Sequence, residues 1–344
     1  MVEARVYNRE LELQGVVDNF SSFTWIRRYF EPGEFEIHIP ATEQNQVLFV
    51  PGFIVARHDG MAEMEAGTIE SLVRSGYEIV ARGRFLESYL DRRLIIGTYN
   101  FSGKTENAMR NIVSRMTPIP LVELGELQNF DETVEFQATY KGVLSYLEKL
   151  CVTSGIAFRL RPDFTERALI FECYKGTDRT VSGAAQVIFS ETYNNLTEES
   201  YTYNDSAYKT KCYVGGAGEG SARIIVVVGD GTGLDLREVF RNASQSTQED
   251  LTTAEYEAVL AQEGEAVLAD APISESFSFK VAGDQYTYRT DYDVGDIIKV
   301  RRKSWGIEST LRITEVEEVY ESGGREIMLT VGNTVPETVD WNAD

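Results

Sequence analysis

Alternation with a period of two constrains this chain more than any other pattern in it. In GEFEIHIP (residues 33–40), Phe35, Ile37 and Ile39 fall on one side and Glu34, Glu36 and His38 on the other. That is a strand with one face in a core and one in water. ARVYN, ELELQGVV, the aromatic-rich FTWIRRYF, GFIVARHDG and AGTIESLVRSGYEIVARGRFL carry the strand-and-turn pattern to residue 95, with RSG reading as a hairpin turn. Many short strands at near-even spacing point to a barrel or a sandwich.

From residue 96 the period changes. Ser102 reads as an N-cap, and Ala108, Met109, Ile112, Val113 and Met116 form one helical stripe that stops near Thr117-Pro118. A second helix is expected from about Thr139, with Tyr140, Val143, Leu144, Leu147, Leu150 and Cys151 inward and Gly155 ending it. GIAFRLRP, RALIFECYKG and AQVIFS follow as strands, so 96–190 reads as an α+β unit.

From 191 the strands return, interrupted at 251–270 by an acidic helix. Thr252 and Glu255 make its capping box, and Tyr256, Val259, Leu260, Val267 and Leu268 its inner stripe. The fold class expected is α+β and mainly β, with three parts: 1–95, 96–190, and 191–335 with its helical excursion. A short tail, 336–344, ends the chain.

Charge narrows the function. Thirty-three basic residues against fifty-five acidic ones leave a net charge of -22. Duplex DNA carries roughly one negative charge per 1.7 Å, so ordinary nucleic-acid binding is disfavoured. No apolar run approaches the ~18 residues of a membrane span, and stable membrane insertion is not expected. MVEARVYNRELEL lacks a basic-then-apolar signal, and three scattered cysteines (Cys151, Cys173, Cys212) suit a reducing compartment as small buried hydrophobes.

The chemical motifs are weak. GTYNFSGKT (97–105) imitates a phosphate loop, but five residues separate Gly97 from Gly103 where four are needed, and two of them are aromatic. Gly216-Ala217-Gly218-Glu219-Gly220 leads into the strand-like ARIIVVV rather than a helix, so it reads as a hairpin loop. Asp291, Asp293 and Asp296 begin like a calcium loop, but its twelfth position is Arg302. His38 and His58 stand in no metal-binding pair. The expectation is no catalytic residue, no cofactor-binding residue, no metal ligand and no cofactor. Carboxylate pairs are inevitable among so many acids, which keeps a glycosidase-like reading open.

The residues with specific information are spread through the chain. FTWIRRYFEPGEFEIHIPAT, GTIESLVRSGYEIVARGRFLESYLDRRLI and SGKTENAMRNIVSRM resemble the N-terminal half of the tail-tip, or baseplate, hub proteins of long-tailed bacteriophages. KTKCYVGGAGEGSARIIVVVG, GLDLREVFRNAS, EYEAVLAQEGEAVLADA, YDVGDIIKVRRKSWGIESTLRITEVE and TVGN follow in the matching order. The resemblance implies two related β-barrel domains per chain with α+β material inserted or alongside. It implies a homotrimer with quasi-sixfold symmetry, closing or continuing the tail tube at the virion's tail tip after assembly in the host bacterial cytoplasm. Its implied partners are a distal tail ring, a tape-measure protein, and a receptor-binding, fibre or spike protein, with DNA passing through the lumen unbound. Some members carry a wall-cutting C-terminal extension; with the last residue at Asp344, none is expected here. A phage-tail-like bacteriocin hub is the neighbouring reading. The alternatives from other classes are a peptidoglycan or polysaccharide hydrolase and a carbohydrate-binding β module.

Overall fold

The computed structural model describes residues 2–61, 65–181, 185–244, 251–271 and 273–332. The 336–344 tail and the last residue of TVGN lie outside the described residues. The alternating runs near the N-terminus become β1 (Glu3–Tyr7), β2 (Leu13–Val17), β3 (Ser22–Arg28), β4 (Glu34–Pro40), β5 (Ile54–His58), β6 (Ala66–Thr68), β7 (Ser71–Ser75) and β8 (Glu78–Arg84). One helical turn that the strand reading passes over, α1 (Glu43–Leu48), is capped by the Thr42 hydroxyl, which accepts from the Asn45 N–H at 3.1 Å. One sheet runs β2-β1-β5-β6, and β3-β4-β8-β7 forms part of another. Phe23, Trp25, Phe35, Ile37, Val55 and Ile79 are buried in one cluster drawn from both sheets, the inward half of each alternating pattern. Where the sheets touch, a Cβ on Gly83 would lie 1.7 Å from the Thr68 carbonyl oxygen. Only glycine permits that backbone approach.

The middle of the chain holds β9 (Thr98–Lys104), α2 (Thr105–Arg115), β10 (Val122–Leu124), β11 (Thr133–Thr139), α3 (Val143–Ser154), β12 (Ala157–Asp163) and β13 (Ala168–Tyr174). The α2 stripe is buried as expected, and Gly155 closes α3 in the left-handed conformation at φ 70°. Two helix starts differ from expectation. Ser102 lies within β9, which pairs with β11 from Thr98↔Thr139 to Lys104↔Thr133, so α2 begins only at Thr105. Tyr140 is exposed with φ 48°, because β11 runs through Thr139 and the chain must turn before α3. Strand pairing with a distant partner overrides the local helical signal in both places.

The C-terminal part contains β14 (Ile188–Ser190), β15 (Leu196–Asn204), β16 (Lys211–Gly215), β17 (Ile225–Gly229), β18 (Glu238–Asn242), α4 (Thr253–Ala269), β19 (Ser274–Val281), β20 (Ile297–Arg302), β21 (Ile307–Glu321) and β22 (Gly324–Gly332). The AQVIFS strand, read as part of the α+β unit, instead pairs as β14 in parallel with β20. β15 and β19 form an antiparallel ribbon, and the segment between them folds as β17-β16-β18 covered by α4. The reciprocal Thr252–Glu255 capping box starts α4.

Strand β21 organises the whole. Its first half pairs with β20, and from Glu315 to Glu321 it pairs with β3. One ten-stranded sheet, along β15-β19-β22-β21-β3-β4-β8-β7, therefore takes strands from both β-blocks. The fold is mainly β, and among the described pairings the path does not close on itself. No helix among the described residues is long and apolar enough to cross a membrane.

Candidate functional site: a charged seam between the β-blocks

The β3–β21 junction brings together side chains that sequence reasoning did not single out. Arg27 and Arg28 are consecutive on β3, so they point to opposite faces, and both are buried. On one face, the Arg27 guanidinium donates to Glu65 Oε1 from Nε (3.0 Å) and Nη2 (2.7 Å), to the Tyr288 hydroxyl (2.6 Å) and to Asp293. Beside it, Arg57 of β5 donates to Glu318 of β21, which is 0 % exposed. Glu318 also receives the Tyr320 hydroxyl at 2.6 Å and pairs with Arg325 at 2.6 Å. On the other face, Arg28 donates to Glu34 at 2.5 Å and Glu315 at 2.7 Å, with Glu31 at 3.5 Å.

Three arginines from the first block thus meet carboxylates from the last. Charges taken from water are costly unless paired and fully hydrogen-bonded, so the set works as one unit. The sequence signal was present: RR inside the aromatic FTWIRRYF is an unexpected pair of charges in a strand whose two faces are both covered.

Around Arg28 the acids outnumber the cation. Burial, with Glu148, Glu315 and Glu34 nearby, pushes Glu31 up to about 7 despite Arg28. Burial and Glu315 also raise Glu317. On the Arg27 side, burial pushes Glu87 up to about 7. Its Oε1 accepts from the Leu160 N–H at 2.8 Å, and its Oε2 has no protein donor. Arg27, Glu65, Glu87 and Phe158 border a cavity of only about 10 Å³, room for a water and not for a sugar.

The motifs read from sequence fall into structural duties. Lys104 ends β9, where its Nζ donates to the Asn129 carbonyl (3.0 Å) and Asp131 (3.2 Å). Thr105 is buried. The glycines at 216–220 link β16 to β17 in an antiparallel hairpin, with the Arg223 side chain donating to the Gly215 and Gly216 carbonyls at 2.7 and 3.1 Å. The three aspartates do not converge on one point. Asp291 accepts from the Thr287 N–H, Asp293 from Arg27, and buried Asp296 from the Thr177 N–H and Arg179. His38 sits between Glu36 (2.6 Å) and Glu78 (3.2 Å); burial lowers its affinity for a proton, but these carboxylates outweigh it and the net shift is upward. All three cysteines are buried, and burial pushes the Cys173 thiol up to about 12.

A concavity of about 840 Å³ lies open over β10, β12 and β13. Its central carboxylate, Glu172, is held between Arg159 (3.0 Å) and Arg161 (2.8 Å). Both of its oxygens are engaged, Oε2 by Arg159 and Oε1 by Arg161.

Residues 3–333 match the family described as Siphovirus ReqiPepy6 Gp37-like protein. The chain belongs to that family. Among solved structures, this Gp37-like chain resembles the 43 kDa tail protein of prophage MuSo2 from Shewanella oneidensis, at 15% identity and a TM-score of 0.62, covering 96% of this chain and 97% of that one. A tail protein from Neisseria meningitidis MC58 gives 14% identity and 0.60, with 96% of each chain covered. Prophage tail protein gp18 from Listeria monocytogenes EGD-e gives 14% and 0.57, covering 95% of this chain and 94% of that one. No curated protein matches the sequence. The Gp37-like chain therefore has the fold of prophage tail proteins over nearly its whole length, and the resemblance to phage tail proteins holds.

Proposed function

We propose that this Gp37-like chain is a structural subunit of a phage or prophage tail tip, a baseplate hub. Three copies form a ring that continues or closes the tail tube. A distal tail ring lies above it, tape-measure protein inside it, and a receptor-binding, fibre or spike component below. In this reading each β-block is a barrel-like tube domain, the 96–190 unit stands beside them, and the chain carries out no chemistry. The observation that carries the proposal is the single sheet through both β-blocks, locked by the buried Arg57–Glu318 pair, in a fold shared nearly end to end with tail proteins. A tube wall must transmit load between rings without hinging, and a continuous sheet with a desolvated charged seam suits that duty.

The charge supplies the second half of the mechanism. At a net -22, acidic walls deny passing DNA the Lys/Arg–phosphate pairs from which non-specific affinity comes. Solution mass together with negative-stain images tests the proposal, with three-membered rings expected. Titration with duplex DNA at low salt tests the lumen, and tight, salt-sensitive binding would count against it.

A further inference from the structure

Segments 93–97 and 140–143 run side by side, just before β9 and just after β11. The Val143 N–H donates to the Arg93 carbonyl (3.0 Å), the Ile95 N–H to that of Lys141 (2.9 Å) and the Tyr140 N–H to that of Gly97 (3.3 Å). Ile95 is fully buried, so its neighbours Leu94 and Ile96 turn outward, where they are 48% and 55% exposed. Tyr140 joins them at 61%, in the left-handed region at φ 48°, which a bulky residue seldom adopts. Three large apolar side chains thus share one corner in water.

The charges around them are one-sided. Arg93 donates to the Thr117 carbonyl at 3.0 Å, Arg115 lies over the Tyr99 ring at 4.4 Å, and Lys141 is exposed. Among the described residues, none of these three cations pairs with a carboxylate. Asp91 and Glu70, close by, are taken up by Arg84 and Arg92. Residues 92–105, 107–122 and 136–147 contain six Lys/Arg and no Asp or Glu, in a chain whose total is -22. An acidic segment with apolar side chains fits such a corner and is repelled by most of the remaining surface.

This chain contains a segment of that kind. Residues 333–344 read NTVPETVDWNAD, with Glu337, Asp340 and Asp344, no Lys or Arg, and Val339 and Trp341 among the acids. The reach is sufficient. Gly332, the last residue of β22, pairs with Arg312, whose Nη2 lies 3.8 Å from the Cβ position of Gly155. Gly155 closes α3 and Lys141 stands just before its start, so the path follows one helix of 12 residues, about 18 Å long. The nine residues from Gly332 to Trp341 span about 30 Å when extended.

We propose that residues 333–344 fold back along α3 and dock on this corner of their own chain. Val339 and Trp341 cover Leu94, Ile96 and Tyr140, and the acids face Arg93, Arg115 and Lys141. The inference needs no ring and stands apart from the trimeric reading.

Disulfide trapping in the full chain tests it. Under oxidised glutathione, Ile96→Cys with Val339→Cys is expected to close within one chain at least about tenfold faster than Leu234→Cys with Val339→Cys. Leu234 is 100% exposed on the connection between β17 and β18, and the natural thiols are buried. Adding Glu337→Lys and Asp340→Lys to the trapping pair is expected to slow closure about tenfold. Those two changes touch no residue of the described fold, so misfolding does not imitate the result, and Arg93→Glu with Lys141→Glu should act in the same direction. Equal rates for the two cysteine pairs, or closure indifferent to the lysine changes, would overturn the proposal. Bonds formed only between chains would overturn it too, by giving the corner to a neighbour's segment.

Discussion

Arg57 of β5 and Glu318 of β21 form an ion pair across 261 positions of sequence, with the carboxylate wholly shielded from solvent. The pair ties the first β-block to the last at the point where β3 and β21 share backbone hydrogen bonds. Removing the carboxylate leaves Arg57 in a dry site with the more distant Asp59 at 3.4 Å. Glu318→Ala is expected to cost about 3–5 kcal/mol, seen as a lower urea midpoint shared by probes in both blocks. Arg57→Met with Glu318→Met should recover part of it, since the two buried charges leave together and the cation that loses Glu318, Arg325, is 38% exposed to solvent. A single-mutant cost below about 1 kcal/mol, the range of exposed pairs, would show the seam to be solvated.

Glu87 gives a pH dependence with a defined sign. Its folded-state value, about 7, lies above the ordinary carboxylate range because burial disfavours the charge. The stability it contributes is thus complete below about pH 4.3 and is lost as pH rises through 7. Glu87→Gln, which cannot ionise, is expected to be more stable than wild type by about 1–3 kcal/mol at pH 8 and nearly equal to it near pH 4. Urea unfolding at the two pH values checks this. A difference that does not change with pH would sink the assignment.

Gly83 tests how closely the two sheets of the first block meet. Any β-carbon there must displace the Thr68 backbone rather than a pliable side chain. Gly83→Ala is expected to lower stability by about 1–3 kcal/mol or more. Gly60, with open space around its Cβ position but φ 89°, is a control in which only backbone strain acts. Thermal unfolding of both variants separates overpacking from strain, and equal losses would argue against the close crossing.

Much of the local structure was legible. Alternation in GEFEIHIP gave β4, the stripe at Ala108–Met116 gave α2, Thr252 and Glu255 gave the start of α4, and the glycines at 216–220 gave a hairpin. The seam was legible only as an oddity, two arginines inside an aromatic strand. Its partners, Glu65, Asp293, Glu315 and Glu318, are ordinary acids among fifty-five until the fold selects them.

Side-chain periodicity and capping act over a few residues, so the chain alone specified which segments are strands, which are helices and which faces turn inward. Tertiary structure decided where β21 pairs, why β14 joins β20 and why Ser102 extends a strand. Those outcomes depend on hydrogen bonds and desolvated charges between residues far apart in sequence, whose energies exist only once the sheets have met.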